Sequence, residues 1–203
     1  MAREKGASLR VVGEPWGGGP VGLAGTVQRW NAALAVAALD AAGLEPGVEA
    51  LRLGLAQVQW PGRFQRLAAN LVVDGAHNPA AASALVETWR EMYPGEKASL
   101  IFGALEDKDA GAVLRLLAPI IGELTLVPVQ SPRSFALARL RQLADGVFGP
   151  SGGALAPEIF EAADVASALA RCAKGRRLVA GSLYLVGEGL ALHTGTAQER
   201  SAQ

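Results

Sequence analysis

The fold of this protein is decided by the stretch Leu71-Val72-Val73-Asp74-Gly75-Ala76-His77-Asn78-Pro79. Its three apolar, mostly β-branched residues indicate a buried strand, and the glycine after the carboxylate indicates a sharp turn. Asn78 before Pro79 is typical of a helix start, because asparagine caps the first turn and proline fits its first position. The stretch therefore predicts a strand, a turn and a helix, with Asp74 and His77 at the carboxyl end of the strand.

Apolar strands and amphipathic helices alternate beyond this stretch. Strands are predicted at residues 64–70, 71–74, 99–103, 124–129 and 178–180, and helices at residues 79–93, 109–120, 135–145 and 163–173. Residues 146–157 are rich in glycine and proline and are predicted to form a loop. Strands that alternate with helices of this length are typical of βαβ units. We therefore predict an α/β fold, a Rossmann-like, mainly parallel twisted sheet flanked by helices.

The amino-terminal part of the chain has a different pattern. A short strand is predicted at residues 9–12 and a glycine- and proline-rich linker at residues 13–25. Apolar residues at a helical period predict helices at residues 27–42 and 48–57. The run Gly17-Gly18-Gly19 is not followed by Gly-Lys-Ser/Thr, so it is interpreted as linker rather than as a phosphate-binding loop.

The composition of the 203-residue chain argues against several classes of protein. Half of the residues are hydrophobic and 19% are charged, which fits a folded chain with a sizeable core. The formal net charge is zero, which argues against nonspecific nucleic-acid binding and against a basic membrane-binding surface. No apolar run reaches the roughly 18 residues that span a bilayer, and the amino terminus lacks the apolar core of a signal peptide. With Cys172 as the single cysteine, we expect a soluble cytoplasmic protein.

Polar side chains follow four of the predicted strands directly. They are Asp74 and His77, then Asp107, Lys108 and Asp109, then Arg133, and finally Ser182. Because the carboxyl ends of parallel strands meet at one edge of a sheet, we expect these groups to converge where open α/β sheets bind ligands. Each group also has a structural alternative. Asp107 or Asp109 can cap the next helix, and Lys108 or Arg133 can be an ordinary surface charge.

Several conventional sites are not supported by the sequence. Ser182 lacks the Gly-x-Ser-x-Gly context of a nucleophilic serine. Two histidines and one cysteine do not form a zinc site, and no metal ligands are predicted. No Gly-x-Gly-x-x-Gly follows the first strand, which disfavours a dinucleotide-binding domain.

Five motifs occur in order along the chain. They are Gly25-Thr26-Val27-Gln28-Arg29-Trp30-Asn31-Ala32, Trp60-Pro61-Gly62-Arg63-Phe64, Asp74-Gly75-Ala76-His77-Asn78-Pro79, Phe102-Gly103-Ala104-Leu105-Glu106-Asp107-Lys108-Asp109 and Gly181-Ser182-Leu183-Tyr184-Leu185-Val186-Gly187-Glu188. Together they resemble the carboxyl-terminal domain of folylpolyglutamate synthase/dihydrofolate synthase, a branch of the Mur ligase superfamily. The resemblance implies that residues 1–24 are a remnant of a central ATPase domain and a linker, residues 25–195 the carboxyl-terminal domain, and residues 196–203 a flexible tail.

The resemblance implies an ATP-dependent ligase that joins L-glutamate to folate or dihydropteroate through an acyl phosphate. ATP and Mg²⁺ are the implied cofactors. In this family the central domain carries the phosphate loop, the Mg²⁺ ligands and much of the folate site. We therefore expect the chain to be a fragment that requires that ATPase domain as its partner and is inactive alone.

The resemblance also implies roles for individual residues. Asn31 contacts the adenine, Arg63 the phosphates, and Asp74 the ribose or the polar surroundings of the nucleotide. Arg63 suits phosphate because a guanidinium keeps its charge and offers planar, bidentate donors. His77 and Ser182 position the incoming glutamate.

Lys108 is a further candidate for glutamate binding, and Arg63 and His77 are the catalytic candidates. The sequence departs from the family pattern at Val27, where histidine is usual, and at Gln65, where an acidic residue is common. Two alternatives stay open. One is a domain of another Mur-type amino-acid ligase, of the cell-wall or cyanophycin kind, and the other is a non-catalytic binding module.

Overall fold

The computed structural model describes residues 3–149, 156–172 and 175–196. The chain forms two compact units, Met1–Gln59 and Trp60–Gln203. The sequence places a domain boundary earlier, between residues 24 and 25. The predicted boundary marks where the family's carboxyl-terminal domain begins, whereas the boundary after Gln59 separates two compact units. The predicted boundary therefore stays a prediction.

The first unit contains two helices, α1 (Thr26–Ala41) and α2 (Val48–Gln57), after a 3₁₀ turn at Arg3–Lys5. Both helices are confirmed. The strand predicted at residues 9–12 is wrong, and Leu9 and Val11 there are 75% and 78% exposed. A strand is held by hydrogen bonds to a neighbouring strand, and the described residues of this unit contain none.

The described residues of the second unit form a six-stranded sheet in the order β1-β2-β6-β3-β4-β5. The strands are β1 (Gln65–Ala68), β2 (Leu71–Val73), β3 (Ala98–Phe102), β4 (Ile121–Leu126), β5 (Glu158–Glu161) and β6 (Arg176–Ala180). β1 pairs with β2 in the antiparallel sense, and the other neighbouring strands are parallel. The predicted α/β fold with a mainly parallel sheet is confirmed.

Helices flank this sheet in two groups. They are α3 (Pro79–Met92), α4 (Ala110–Leu117) and α5 (Leu137–Phe148) in one group, and α6 (Val165–Arg171) and α7 (Leu183–Thr194) in the other. Val73, Ile101 and Val179 pack with α6 and α7 in one buried cluster. On each strand, the neighbours of these residues along the chain face the opposite side of the sheet. None of the described helices is long and apolar enough to cross a membrane.

Some elements of the second unit differ from their predicted positions. β4 spans Ile121–Leu126 rather than residues 124–129, because Val127 and Val129 are buried but lie beyond the paired strand. β5 is not predicted, since this edge strand has no fully buried residue and its sequence lacks a clear apolar pattern. The helical period of residues 109–120 predicts that Val113, Leu116 and Leu117 face inward, but Leu116 is 36% exposed.

Two further predictions meet the limits of the described residues. The loop predicted at residues 146–157 is too long at its start, because α5 continues to Phe148. Some predicted positions lie outside the described part of the chain. They are residues 150–155 of this loop, residue 173 of the predicted fourth helix, and residues 197–203 of the predicted tail.

Candidate functional site

A cavity of about 180 Å³ lies at the carboxyl ends of the parallel strands. We name it the strand-end cavity, and its lining residues are His77, Leu105, Asp107, Lys108, Arg133, Gly181, Ser182, Leu183 and Tyr184. The three residues predicted to bind glutamate follow three neighbouring strands, His77 after β2, Ser182 after β6 and Lys108 after β3. They therefore line one cavity, as the predicted convergence requires, while their binding roles stay predictions.

One ring nitrogen of His77 is bonded within its own turn, and the other bonds to none of the residues that the structure describes. Its Nδ1 lies 2.8 Å from the carbonyl oxygen of Gly75, and since a carbonyl only accepts, Nδ1 carries the proton. Nε2 of the neutral ring is then an acceptor, and protonation makes it a donor. The half-buried ring is thus oriented by its own turn, and Nε2 is the atom available to a ligand.

Lys108 and Asp107 form an ion pair at the wall of the cavity. Lys108 Nζ lies 2.9 Å from Asp107 Oδ2, and both side chains are partly exposed. This hydrogen bond lowers the pKa of Asp107, and the nearby charge of Arg133 lowers it further. Asp107 is not a helix cap here. That structural role belongs to Asp109, whose carboxylate accepts from the Ala112 amide at the start of α4.

Ser182 has a structural role as well as a place in the cavity. It is the N-cap of α7, with Oγ accepting a 3.2 Å hydrogen bond from the Tyr184 amide, and it is 2% exposed. The preceding residue, Gly181, has a φ of 109°, and a Cβ atom there would overlap the carbonyl oxygen of Gly103. Glycine at this position lets β6 pass close to β3 at the edge of the cavity.

Asp74 lies beside the cavity in a compact turn that we name the Asp74 corner, comprising residues 62–65 and 74–76. Asp74 Oδ2 accepts a 2.8 Å hydrogen bond from the Phe64 amide, and Oδ1 accepts one of 2.8 Å from the Ala76 amide. Burial raises the pKa of Asp74, although both hydrogen bonds and the charge of Arg63 lower it. The carboxylate therefore holds two backbone segments together, and its predicted contact with the nucleotide stays a prediction.

Phe64 has an unusual backbone conformation in this corner. Its φ of 43° lies in the left-handed region, which is uncommon for a residue with a side chain. The buried ring stacks on Tyr93 and meets Trp89 edge to face. These ring contacts and the hydrogen bond to Asp74 hold the strained residue, and such strain clusters at functional sites.

Arg63 precedes Phe64 on the same turn. The turn is tied to the corner by the Gly75 amide, which donates to the Gly62 carbonyl at 2.8 Å. Gln65, where the family commonly has an acidic residue, accepts from the Gly62 amide through Oε1 at 2.9 Å. Among the described residues the exposed Arg63 guanidinium makes no hydrogen bond or ion pair. A fixed backbone thus carries a cation whose donors are available.

Asn31 belongs to the first unit. It lies on α1 with an exposed side chain, and its Nδ2 donates to Gln28 Oε1 at 2.9 Å. Its predicted adenine contact stays a prediction. The first unit also contains a larger cavity of about 700 Å³, lined mainly by apolar residues of the segment 10–18, α1 and α2. None of the predicted site residues lines it.

Arg133 has no predicted binding role, although it lines the strand-end cavity. The signal was present, because Arg133 follows β4 at the same edge of the sheet as the other groups. Among the described residues, no group of three or more His, Cys, Asp or Glu side chains is arranged to hold a metal ion.

A comparison with protein families identifies one domain in the chain. Residues 62–186 match the family described as Mur ligase, glutamate ligase domain, which is more than half of the chain. The matched segment contains the whole strand-end cavity and the Asp74 corner, and it falls within the second compact unit.

Individual relatives agree with this match. The dihydrofolate synthase/folylpolyglutamate synthase of Mycobacterium tuberculosis is 34% identical over 169 residues, covering 80% of this chain and 35% of the relative. A diaminopimelate-adding relative, UDP-N-acetylmuramoyl-L-alanyl-D-glutamate--2,6-diaminopimelate ligase of Corynebacterium efficiens, is 38% identical over 130 residues, covering 60% of this chain and 24% of the relative. The chain thus spans about a third or less of the length of these relatives.

A solved structure has the same fold. It is the Mycobacterium tuberculosis folylpolyglutamate synthase complexed with ADP and AMPPCP, with a TM-score of 0.76 and 28% identity over 88% of this chain and 42% of that one. This similarity confirms both the predicted fold and the predicted resemblance. The chain therefore belongs to the Mur ligase family, with the carboxyl-terminal glutamate ligase domain of the kind found in folylpolyglutamate synthase/dihydrofolate synthase.

Proposed function

We propose that this chain is the nucleotide- and glutamate-contacting part of an ATP-dependent ligase that adds L-glutamate to folate or dihydropteroate through an acyl phosphate. The observation that carries the proposal is the strand-end cavity, where His77, Lys108 and Ser182 follow three neighbouring strands. The similarity to the Mycobacterium tuberculosis synthase supports the choice of substrates.

The cavity has the chemistry that a dicarboxylic amino acid needs. Lys108 supplies a positive charge, and His77 Nε2 and the Ser182 hydroxyl supply further polar atoms. Charged donors bind carboxylates about twice as strongly as neutral donors do. Glutamate held in this way presents its amine in a fixed geometry, which converts a bimolecular attack into an effectively unimolecular one.

The Asp74 corner supplies the groups proposed for the nucleotide. ATP, when bound, supplies the phosphoryl group that activates the acceptor carboxylate. Arg63 offers a charged guanidinium to the phosphates and stabilises the charge that develops during transfer. Asp74 retains acceptor capacity beyond its two backbone hydrogen bonds, which is compatible with a ribose contact, and Asn31 is proposed for the adenine.

The complete enzyme requires more than these residues. We propose that a central ATPase domain supplies the phosphate loop and the Mg²⁺ ligands, and that the 203 residues alone are inactive. The short coverage of the relatives supports this division. The cytoplasmic location expected from the sequence belongs to the same proposal.

The test uses a full-length ligase in which this chain replaces the carboxyl-terminal region of the Mycobacterium tuberculosis relative. We expect ADP formation that depends on both L-glutamate and a folate, either dihydropteroate or tetrahydrofolate. The unmodified relative controls the assay, and a thermal melt establishes that the fusion is folded. A folded fusion that is silent with both folates contradicts the proposed function.

A second candidate is another Mur-type amino-acid ligase, which the similarity to the Corynebacterium efficiens enzyme favours. For this candidate the same chain replaces the corresponding region of that relative. ADP formation with UDP-N-acetylmuramoyl-L-alanyl-D-glutamate and 2,6-diaminopimelate, combined with silence of the folate fusion, selects the second candidate.

A further inference from the structure

We propose that Arg133 is a specificity-determining residue of the ligase, and that its guanidinium binds the side-chain carboxylate of the incoming glutamate. The inference deepens the proposed function and rests on it. From the sequence alone, Arg133 is compatible both with a place at the ligand-binding edge and with an ordinary surface charge.

The backbone of Arg133 is held firmly against the neighbouring loop. Its carbonyl oxygen accepts from the Glu106 amide at 2.9 Å, and the Phe135 amide donates to the Ala104 carbonyl at 3.0 Å. Ser134 also forms an isolated β-bridge with Leu105. The loop after β4 is therefore joined to the loop that carries Asp107 and Lys108, at Arg133 and at the two residues that follow it.

A buried carboxylate holds the beginning of the same loop. Glu188 on α7 is 4% exposed, and its Oε1 accepts from the Gln130 amide at 3.0 Å. The helix α7 also carries Ser182 at its N-cap, so one helix supports two walls of the strand-end cavity. Anchoring at both ends makes the position of Arg133 a property of the fold rather than of a loose loop.

The side chain of Arg133 points to no partner within the described ranges 3–149, 156–172 and 175–196. Among the described residues its guanidinium makes no hydrogen bond or ion pair, and its charge acts on Asp107 only at a distance. Lys108, by contrast, is already paired with Asp107 at 2.9 Å. Of the two cations that line the cavity, Arg133 is the one with all five donors available.

The strand order supports an assignment to the far carboxylate. Arg63 and Asp74 belong to the β1 and β2 end of the sheet, where we place the nucleotide and hence the attacking amine. Arg133 follows β4, which is separated from β2 by β6 and β3. The part of the amino acid that points away from the nucleotide therefore points toward Arg133, and in glutamate that part ends in the side-chain carboxylate.

The test compares Arg133→Met with the unsubstituted full-length ligase, using L-glutamate and L-glutamine as amino acids. Glutamine has the same length but an amide in place of the far carboxylate. We expect the KM for glutamate to rise about 10- to 100-fold, the range for losing a hydrogen-bonded charge. The preference for glutamate over glutamine in kcat/KM should fall by at least about tenfold, with the KM for ATP and the maximal rate within about threefold.

Arg139→Met is the matched control, because Arg139 is an exposed arginine of α5 that bonds to Gln142 and does not line the cavity. We expect it to match the unsubstituted ligase. If Arg133→Met does not fold, Arg133→Lys and Arg133→Gln are measured in the same way, and the loss of preference should be larger for Gln.

Two results overturn the inference in distinguishable ways. An active ligase whose glutamate KM and amino-acid preference change by less than about twofold in the Arg133 variants removes Arg133 from the site and leaves the proposed function intact. An unsubstituted ligase that is silent with glutamate overturns the proposed function, and the inference falls with it.

Discussion

The Asp74 corner and the strand-end cavity lie next to each other but use their polar side chains differently. In the corner, both oxygens of Asp74 accept from backbone amides, and Gln65 accepts from another. In the cavity, His77 keeps one ring nitrogen and Arg133 keeps its whole guanidinium free of other described residues. The corner uses its polar groups to fix backbone geometry, whereas the cavity leaves His77 Nε2 and the Arg133 guanidinium available to a ligand.

This difference separates two kinds of experimental effect. Substitutions in the corner should lower the free energy of unfolding, whereas substitutions of His77 and Arg133 in the cavity should change substrate kinetics and leave stability nearly unchanged. Arg63 belongs to the corner by its backbone, but its exposed guanidinium is available to a ligand like the groups of the cavity. It therefore gives the strongest test.

Arg63→Ala should lower the turnover of the full-length ligase by about 10² or more, the usual loss when a group that stabilises transition-state charge is removed. Its unfolding free energy should change by less than about 0.5 kcal/mol, as for other exposed sites. Steady-state ADP formation and urea unfolding measure the two effects. Arg66→Ala, an exposed arginine on β1, is the control, and an unchanged turnover in Arg63→Ala removes this residue from the site.

Asp74→Asn should destabilise the chain by about 1–3 kcal/mol, because one of two buried amide donors then faces an NH₂ group instead of an acceptor. Urea unfolding measures this loss. The control is Asp145→Asn, which disturbs only a pair with Arg141 on α5. In the full-length ligase, Asp74→Asn should also weaken the binding of ATP more than the binding of folate. The reverse order would mean that Asp74 contacts folate rather than the nucleotide.

Ser182→Ala should destabilise the chain by about 1 kcal/mol, because the N-cap of α7 loses its hydrogen bond to the Tyr184 amide. Ser182 also lines the cavity, so the KM for glutamate should rise in the full-length ligase. Ser83→Ala, on an exposed position of α3, is the control. A lower stability with an unchanged KM would assign Ser182 to the helix cap alone.

Glu188→Gln should have the smallest effect, visible as a change in pH dependence. Burial raises the pKa of Glu188 above its ordinary value of 4.5; the Gln130 hydrogen bond lowers it and the charge of Asp164 raises it. The folded chain therefore keeps this proton where the unfolded chain has lost it. The resulting stability is complete below the ordinary pKa and is lost as the pH rises through the raised pKa.

Glutamine cannot ionise and still offers an oxygen to the Gln130 amide. The unfolding free energy of Glu188→Gln should consequently fall less between about pH 4 and about pH 7 than that of the unsubstituted chain. Urea unfolding at a series of pH values measures the slope, with the exposed Glu87→Gln as control. Parallel slopes for all three proteins would show that Glu188 titrates equally in the folded and unfolded states.

Local sequence signals predicted the central elements well. The apolar run before Asp74 is a buried strand, Leu71–Val73, and Asn78 caps α3 by accepting from the Ala81 amide. Asp109 likewise caps α4. These features depend on residues within a few positions of one another, so the sequence contains the information directly.

Elements that depend on distant partners were predicted less well. The apolar residues at 9–12 resemble a strand but have no neighbouring strand among the described residues, and β5 gains its hydrogen bonds from β4 despite a weak pattern of its own. The positions that face inward on α4 also differ by a fraction of a turn, with Leu116 exposed. Strand pairing and helix rotation are decided by packing, which a local pattern does not contain.

The sequence by itself determined the family, the parallel α/β fold and the edge of the sheet at which polar residues gather. Only the tertiary structure decided which of those residues keep free atoms. The carboxylate of Asp74 accepts from the amide of Phe64, ten positions away in the chain. The backbone of Arg133 is held by Glu106, whereas its guanidinium bonds to none of the described residues. Hydrogen bonds between distant segments form only when the strands are assembled, and they separate the groups that hold the fold from those available for chemistry.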